Sequence, residues 1–399
     1  MGGQLLHTDI AIIGGGIAGL WTLNQLRDRG YNAVLFEHKA LGSDQTISSQ
    51  GMIHGGVKYA LSGAWNTGSE TVSAMPAHWR ACLQGEGKVD LRGCRVLSEG
   101  FYLWSAGGLQ SRLTSLFASK LLRGKVEKLI LPDYPAALQS PQFKGQVYRL
   151  ADLVIDVPSL VATLAERQRE AIFQIDWATA RLQCDRGQAT LVLPAGRVIP
   201  GRLLLCAGAG NEELMAALDA AAPRMQRRPL QQVLVKHHYP EPFYGHCLGN
   251  NSSPRLTISS HHCSTGEPVW YLGGDLATSG ADEEPQRLVE RAQTELAQLF
   301  PWLDFGRSQW HSLRLDRAEP LQAGALRRPD SAFVGRVEGV DNALVAWPTK
   351  LTLCPDLADS VEQLLRADNI LPGNKTDLEP LSQLGHPPLA TPCWDTLFQ

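Results

Sequence analysis

A short apolar run near the N-terminus, Asp9-Ile10-Ala11-Ile12-Ile13, ends directly in Gly14-Gly15-Gly16-Ile17-Ala18-Gly19. The run has the composition of a buried parallel strand. Gly14, Gly16 and Gly19 fill a GxGxxG pattern, and a helical stretch follows from Ile17 to about Arg29, with Ile17, Leu20, Leu23 and, at its margin, Trp21 on the apolar side. Gly30 stands where a helix C-cap glycine belongs. Asn32–Phe36 reads as a second strand with Glu37 at its end. Each part has a physical task. Gly14 permits a tight turn, Gly16 lets backbone N–H groups approach a pyrophosphate, and Gly19 lets helix pack closely on strand. The helix N-terminus supplies free donors and partial positive charge. Glu37 falls about 20 residues on, where a carboxylate accepts hydrogen bonds from a ribose diol. Strand, turn, helix, cap, strand and acid fall in register, so the chain is expected to bind an adenine dinucleotide.

The rest of the composition is consistent with such a protein. At 399 residues the chain exceeds one typical domain. Charged residues are 19% of it and the formal net charge is -3, which argues against a polyanion-binding surface and hence against nucleic acid as a partner. The eight cysteines form no CxxC pair and have no metal-ligand spacing. They are expected to be buried, reduced thiols, and no metal is expected. No apolar run reaches the ~18 residues of a membrane span. The first strand begins close to the start of the chain, so a soluble, cytoplasmic protein with no integral membrane segment is expected.

After Glu37 the chain runs through a polar, small-residue segment, Leu41 to Gly56, which suits neither helix nor strand but can drape backbone donors along an extended cofactor. Within it, Ser49-x-Gly51-x-Ile53-His54-x-Gly56-x-x-Tyr59 resembles the segment that follows the ribose acid in D-amino-acid-oxidase-like flavoproteins. That family includes glycine and sarcosine oxidases, 2-hydroxyglutarate oxidases and FAD-linked glycerol-3-phosphate dehydrogenases; the Ile-His-Gly-Gly core is most similar to the last two groups. Two later stretches carry the same resemblance. Gly201–Asn211 is similar to the strand and Ala-Gly-Ala turn that returns to the ADP half of FAD. Asp330–Gly335, Asn342–Trp347 and Pro348-Thr349-Lys350-Leu351-Thr352, followed by a helix to about Arg366, resemble the flavin-contacting loop and last helix. The family usually has glycine near Thr349 and Lys350, and this chain departs from that pattern.

The resemblance implies FAD as cofactor and an α/β fold, with a Rossmann-like FAD-binding domain of the glutathione-reductase type 2 and a substrate domain of mixed β-sheet plus helices. The cofactor-binding residues it implies, together with the glycine turn, are Gly14, Gly16, Ile17, Ala18, Gly19, Glu37, His38, Ser48, Ser49, Gln50, Gly51, His54, Ala207, Gly208, Thr349, Lys350, Leu351 and Thr352.

Along the remaining chain, Trp65–Leu83 reads as a helix whose core stripe is Ala74, Met75, His78, Trp79 and Cys82. Short strands follow at 94–97 and 101–104, then a helix over Gln110–Leu122 and a proline-containing loop over Leu131–Gln146. Pro158 opens a helix that continues to about Ala171, and Leu182–Val198 reads as a β-meander with a turn at Asp185-Arg186-Gly187. Gln231–His238, Arg255–Ser260, Val269–Gly273 and Gln309–Leu315 are strand candidates, with an amphipathic helix at Glu284–Phe300. The expected division is an FAD-binding domain from 1–80, 150–222 and 326–370 and a substrate domain from 81–149 and 223–325. Residues 371–399, with five prolines and little periodicity, are expected to be a surface tail.

Flavin chemistry asks the protein for orientation and electrostatics around the cofactor. Three residues are candidates for catalysis. Lys350, just before the last helix, is placed to supply a cation near flavin N1 and C2=O, against the alternative of a surface lysine. His54 has three readings: covalent attachment to the flavin, a base or polar contact beside the ring, or a structural hydrogen bond. Lys58 and Tyr59 are weaker candidates nearby. Arg317, in preference to Arg314, lies where the family holds a substrate carboxylate, and its planar fork suits one; the alternative is an ion pair with Asp316 or Glu319. His237-His238, His261-His262 and Tyr271 could line a pocket, with one histidine of each pair facing in. The expected activity is removal of a hydride from a carbon bearing a hydroxyl or an amine in a small anionic metabolite, with the electron acceptor open between oxygen, a quinone and a protein. A non-catalytic flavin-binding protein or scaffold is the alternative.

Overall fold

The computed structural model describes residues 4–56, 67–105, 126–249, 253–321, 331–373 and 376–399, the first four of the second stretch by backbone alone. Lys58, Tyr59 and the helix expected over Gln110–Leu122 lie outside the described residues. In chain order the elements begin with β1 (Leu5–Ile13), α1 (Ile17–Asp28), β2 (Ala33–Glu37), β3 (Met52–Ile53), α2 (Thr67–Gln84), β4 (Val96–Ser98), β5 (Phe101–Ser105), β6 (Val126–Lys128), β7 (Gln146–Leu150) and β8 (Leu153–Ile155). They continue with α3 (Val157–Arg167), β9 (Ile172–Gln174), β10 (Arg181–Asp185), β11 (Gln188–Leu193), β12 (Gly196–Leu205), α4 (Asn211–Ala216), β13 (Met225–Lys236), β14 (Gly245–Cys247), β15 (Leu256–His262) and β16 (Pro268–Gly273). The last are α5 (Asp275–Ser279), α6 (Pro285–Leu299), β17 (Gln309–Pro320), β18 (Phe333–Arg336), β19 (Ala343–Trp347), α7 (Cys354–Ala367) and α8 (Cys393–Leu397).

The glycine turn belongs to a sheet in which β1 runs parallel between β12 and β2, with β9 beyond β2. The far edge of β12 is shared: its first residues pair antiparallel with β11 and its last pair parallel with β19. One face of this sheet, with Ile10, Ile12 and Leu35, packs in a core with α1, α3 and α7; the other, with Ala11, Ile13, Val34 and Phe36, packs against the meander and α4. Because α3 and α7 flank α1, every residue from Ile17 to Leu26 is buried, wider than the stripe read from sequence. Two polar members of that run are tied down: Asn24 Nδ2 donates to the Leu164 carbonyl at 2.9 Å and Gln25 Nε2 to Asp359 at 2.7 Å.

A second sheet runs in the order β17-β13-β16-β15-β14-β5-β7-β6. Strand alternation sorts its residues cleanly. Val233, Val235, Trp270 and Leu272 pack on Leu288, Ala292 and Leu296 of α6. The opposite face carries Gln232, Leu234, Tyr271, Ser259, His261, Thr257, His246, Leu103 and Tyr148, and looks toward the segment that follows Glu37. A small antiparallel sheet, β3-β8-β4, sits between the two.

Four expectations need correction. The meander read to Val198 and the strand read from Gly201 form one continuous strand, β12: Pro200 falls between the residues paired with β11 and those paired with β19, where that edge can forgo its N–H donor. In α2 the buried stripe is Val72, Met75, Trp79 and Cys82, while Ala74 is exposed. Strand β17 runs to Pro320, paired with β13 throughout. Residues 376–399 are more than a surface tail: Leu381 enters the core behind the first sheet, Leu41 bridges Leu389, and Trp394 is buried against the second sheet. Prolines fix the path of this segment, and its few apolar side chains anchor it.

Candidate active site

The glycine turn has the close contacts its sequence calls for. Gly14 has φ +113°, and a Cβ there would meet the backbone of Cys206 and Ala207 at 2.7 Å; a Cβ on Gly19 would overlap the Gly14 carbonyl oxygen. Gly16 is the N-cap of α1, and the Ile17 N–H donates to Thr46 Oγ1 at 3.1 Å. At the end of β2, Glu37 is buried and accepts the Gly15 N–H at 2.6 Å and the Lys39 N–H at 2.7 Å, with His38 Nδ1 at 3.2 Å. A carboxylate offers about four lone-pair sites, so Glu37 is held by backbone and can still accept a diol. Ala207, the residue that meets Gly14, donates its N–H to Asn211 Oδ1 at 2.8 Å, and the Gly208 carbonyl accepts Trp347 Nε1–H at 3.0 Å. The turn after β12 thus closes over the glycine loop.

Residues 48–54 are sewn to the second sheet. The Tyr271 hydroxyl lies 3.0 Å from the Ser48 carbonyl and 2.9 Å from Gln232 Oε1, and its one hydrogen is donated between them. Burial pushes that phenol well above its ordinary pKa, so it stays a neutral donor. Gln50 Nε2 donates to the Tyr271 carbonyl at 2.6 Å and to Ser259 Oγ at 3.3 Å, and the Gly51 N–H donates to Ser49 Oγ at 3.3 Å. Gly51 has φ +74°, and a Cβ would overlap the Ile155 carbonyl oxygen of β8.

His54 follows β3. Its Nδ1 lies 3.4 Å from Asp152 Oδ2, and the Asp152 Oδ1 accepts the Gly55 N–H at 2.8 Å. The His54 ring is stacked on His246, centroids 5.7 Å apart at 20°; His246 is in turn held by Thr257 Oγ1 at 2.8 Å and by the Phe101 ring at 4.5 Å. The His54 N–H donates to Thr352 Oγ1 at 3.2 Å, Thr352 Oγ1 donates to the Met52 carbonyl at 3.3 Å, and Trp79 Nε1–H donates to the Thr352 carbonyl at 3.0 Å. The two stretches singled out by sequence, around His54 and around Lys350, are therefore joined directly.

In the second of these, Lys350 precedes a single 3₁₀ turn, Leu351–Leu353, that leads into α7. Thr349 has φ +61°, a left-handed conformation that a β-branched residue adopts at a cost, and its Oγ1 donates to the Ser331 carbonyl at 3.1 Å. Thr349 thus holds a conformation that glycine adopts far more readily. Arg317 is half-buried on β17; next to it, the Ala318 N–H donates to Gln45 Oε1 at 3.0 Å, which ties this end of the strand to the cofactor segment. Glu319 is closed by Arg228, at 2.6 and 3.0 Å. Arg314 is exposed and paired with Asp282 at 3.3 Å, so of the two arginines only Arg317 is directed toward this region.

Of the histidine pairs, His237 and His261 are buried and their neighbours exposed. They lie on opposite faces: His237 contacts Trp270 and Phe305 on the α6 side, whereas His261 is stacked on Trp394 at 4.2 Å and bonded to Ser259 Oγ at 2.9 Å. Only His261 belongs to the face that receives residues 48–54. Asp152, His246, Gln232 and Ser259 were not singled out by sequence. A carboxylate between the apolar ends of β7 and β8 is a usable signal for Asp152; His246 lies on a strand too short for alternation to be read. Among the described residues no group of three or more His, Cys, Asp or Glu side chains could hold a metal ion, and no helix is long and apolar enough to cross a membrane.

Residues 9–346 match the DAO family, described as FAD dependent oxidoreductase. The chain belongs to this family. It is 48% identical over 396 residues to a protein of Pseudomonas aeruginosa named as a probable FAD-dependent oxidoreductase, covering 99% of each chain. The crystal structure of an FAD-dependent oxidoreductase from Pseudomonas aeruginosa superposes with a TM-score of 0.86 at 42% identity over 99% of each chain. Glycine oxidase from Geobacillus kaustophilus shares the fold, with a TM-score of 0.65 at 17% identity over 96% of this chain and 99% of its own. The family's cofactor is FAD, and the glycine turn fits it: Gly14 and Gly19 exclude side chains, α1 opens its N-terminus at Gly16, and Glu37 stands fixed beside them.

Proposed function

We propose that this FAD-dependent oxidoreductase removes a hydride from a carbon bearing a hydroxyl or an amine in a small anionic metabolite. Bound FAD supplies the two-electron acceptor; the residues around it supply everything else. Gly14, Gly16, Ile17, Ala18, Gly19, Glu37 and His38 hold the ADP half, with Ala207 and Gly208 closing over it. Ser48, Ser49, Gln50, Gly51, His54 and Thr349, Lys350, Leu351 and Thr352 hold the flavin half. On the domain division expected from sequence, the substrate would sit between the two large sheets.

His54 takes the proton that the donor's hydroxyl or ammonium loses as the hydride leaves. Its contact with Asp152 carries the proposal: a base beside a buried carboxylate is stabilised once protonated. Lys350 adds positive charge on the opposite stretch, which the Thr352–His54 bond brings alongside. Arg317 offers a fork for a substrate carboxylate. The same observation favours a hydroxyl donor, because an alcohol must lose its proton as it is oxidised, whereas an amine can arrive neutral. The left-handed Thr349 speaks against a decayed, non-catalytic loop, since a β-branched residue holds this conformation only at a cost.

The test is anaerobic bleaching of the long-wavelength flavin band by matched pairs of 2-hydroxy and 2-amino acids. Faster bleaching by the hydroxy member is expected. Bleaching by neither member of any pair would overturn the proposed substrate class.

A further inference from the structure

We infer that Asp152 is the positioning residue that fixes the tautomer and ring plane of His54, an inference that rests on the proposed role of His54 as proton acceptor. Asp152 is 4% exposed, at the turn between β7 and β8. Its carboxylate cannot drift, because Oδ1 holds the Gly55 N–H at 2.8 Å, the backbone donor immediately after His54. The remaining oxygen, Oδ2, faces His54 Nδ1 at 3.4 Å. That separation is about half an ångström beyond an ideal charge-assisted bond, a looseness common before substrate closes a site. An ionised carboxylate only accepts, so the facing imidazole nitrogen must be the one that carries hydrogen. Nδ1–H toward Asp152 makes Nε2 the basic nitrogen. The His54 ring lies near-parallel to that of His246, which is itself held by Thr257 and Phe101.

The proton balance is simple. The donor's O–H or N–H bond breaks, the proton goes to His54 Nε2, and the imidazolium formed faces Asp152. Bound FAD would supply the acceptor for the hydride.

Asp152→Asn separates this arrangement from a packing role. The Asn carbonyl can still accept the Gly55 N–H, which turns its NH2 group toward His54 Nδ1 and demands the opposite tautomer. The experiment uses the FAD-loaded protein labelled with ¹⁵N-histidine, with His54→Gln to assign the signals, at a pH where the ring is neutral. In the wild type, Nδ1 is expected to show the protonated-type shift and Nε2 the unprotonated-type shift. In Asp152→Asn the two should exchange, with flavin content unchanged and the rate of flavin reduction down at least about tenfold. A wild-type spectrum with the proton on Nε2, or an Asn variant with an unchanged tautomer, would overturn the inference. The wild-type spectrum decides even if the variant fails to fold. If the tautomers exchange while flavin reduction is unaffected, Asp152 does position His54 and the proposed role of His54 as proton acceptor fails instead.

Discussion

Gly51 and Gly266 both have left-handed φ, +74° and +96°, but their surroundings differ. A Cβ at Gly266 meets nothing within 4 Å, whereas one at Gly51 would overlap the Ile155 carbonyl oxygen. Gly266→Ala should therefore show the conformational cost alone, about 1 kcal/mol. Gly51→Ala adds a backbone collision that β8 cannot relieve, and should cost about 3 kcal/mol. Denaturant unfolding of the two variants measures both, and equal losses would mean that the 48–54 segment is not pinned to β8. At this scale the sequence was informative where one residue type has one reason to be present. Gly14, Gly19 and Glu37 occupy the places that their spacing predicts. Thr349 was not legible, because its left-handed backbone is imposed by the loop around it, against the preference of a β-branched side chain.

Among the elements, strands and helices with clean periodicity were readable to within a few residues, as for α6 and β16. What escaped was anything defined by a partner distant in sequence. Strand β14 has three residues and exists because β5 and β15 pair with it on either side. The C-terminal segment has no amphipathic period, yet α8 places Trp394 flat on His261. Burial under that lid pushes the His261 pKa down to about 4. The folded-state pKa lies below the ordinary value of about 6.5, so between the two the unfolded chain binds a proton that the native chain refuses. Stability is full above about pH 6.5, falls as pH drops toward 4, and loses nothing more from this group below that; the loss is on the order of 3 kcal/mol. His237, also brought down to about 4 by burial, acts in the same direction on the other face. Thermal unfolding between pH 7 and 5 should show a shallower slope for His261→Phe than for the wild type. Parallel slopes would show that α8 does not seal this histidine.

In the whole molecule, two sheets meet through a narrow set of bonds: Tyr271 to Ser48, Gln50 to Ser259, His54 against His246, and Ala318 to Gln45. The order of the three separated motifs along the chain pointed to the family and its cofactor, not to the contacts of this junction. Its polar lining was hidden, because Gln232, Ser259 and His246 are common strand residues until the fold turns them to one face. The same junction brings His54, Asp152 and the Lys350 stretch together. The central claim is that His54 takes the donor's proton, and it is tested most directly by comparing anaerobic flavin bleaching in His54→Gln and wild type with the best donor. The account predicts the same flavin content and a bleaching rate lower by about 10²-fold or more. A variant that holds FAD and bleaches within twofold of wild type would contradict it.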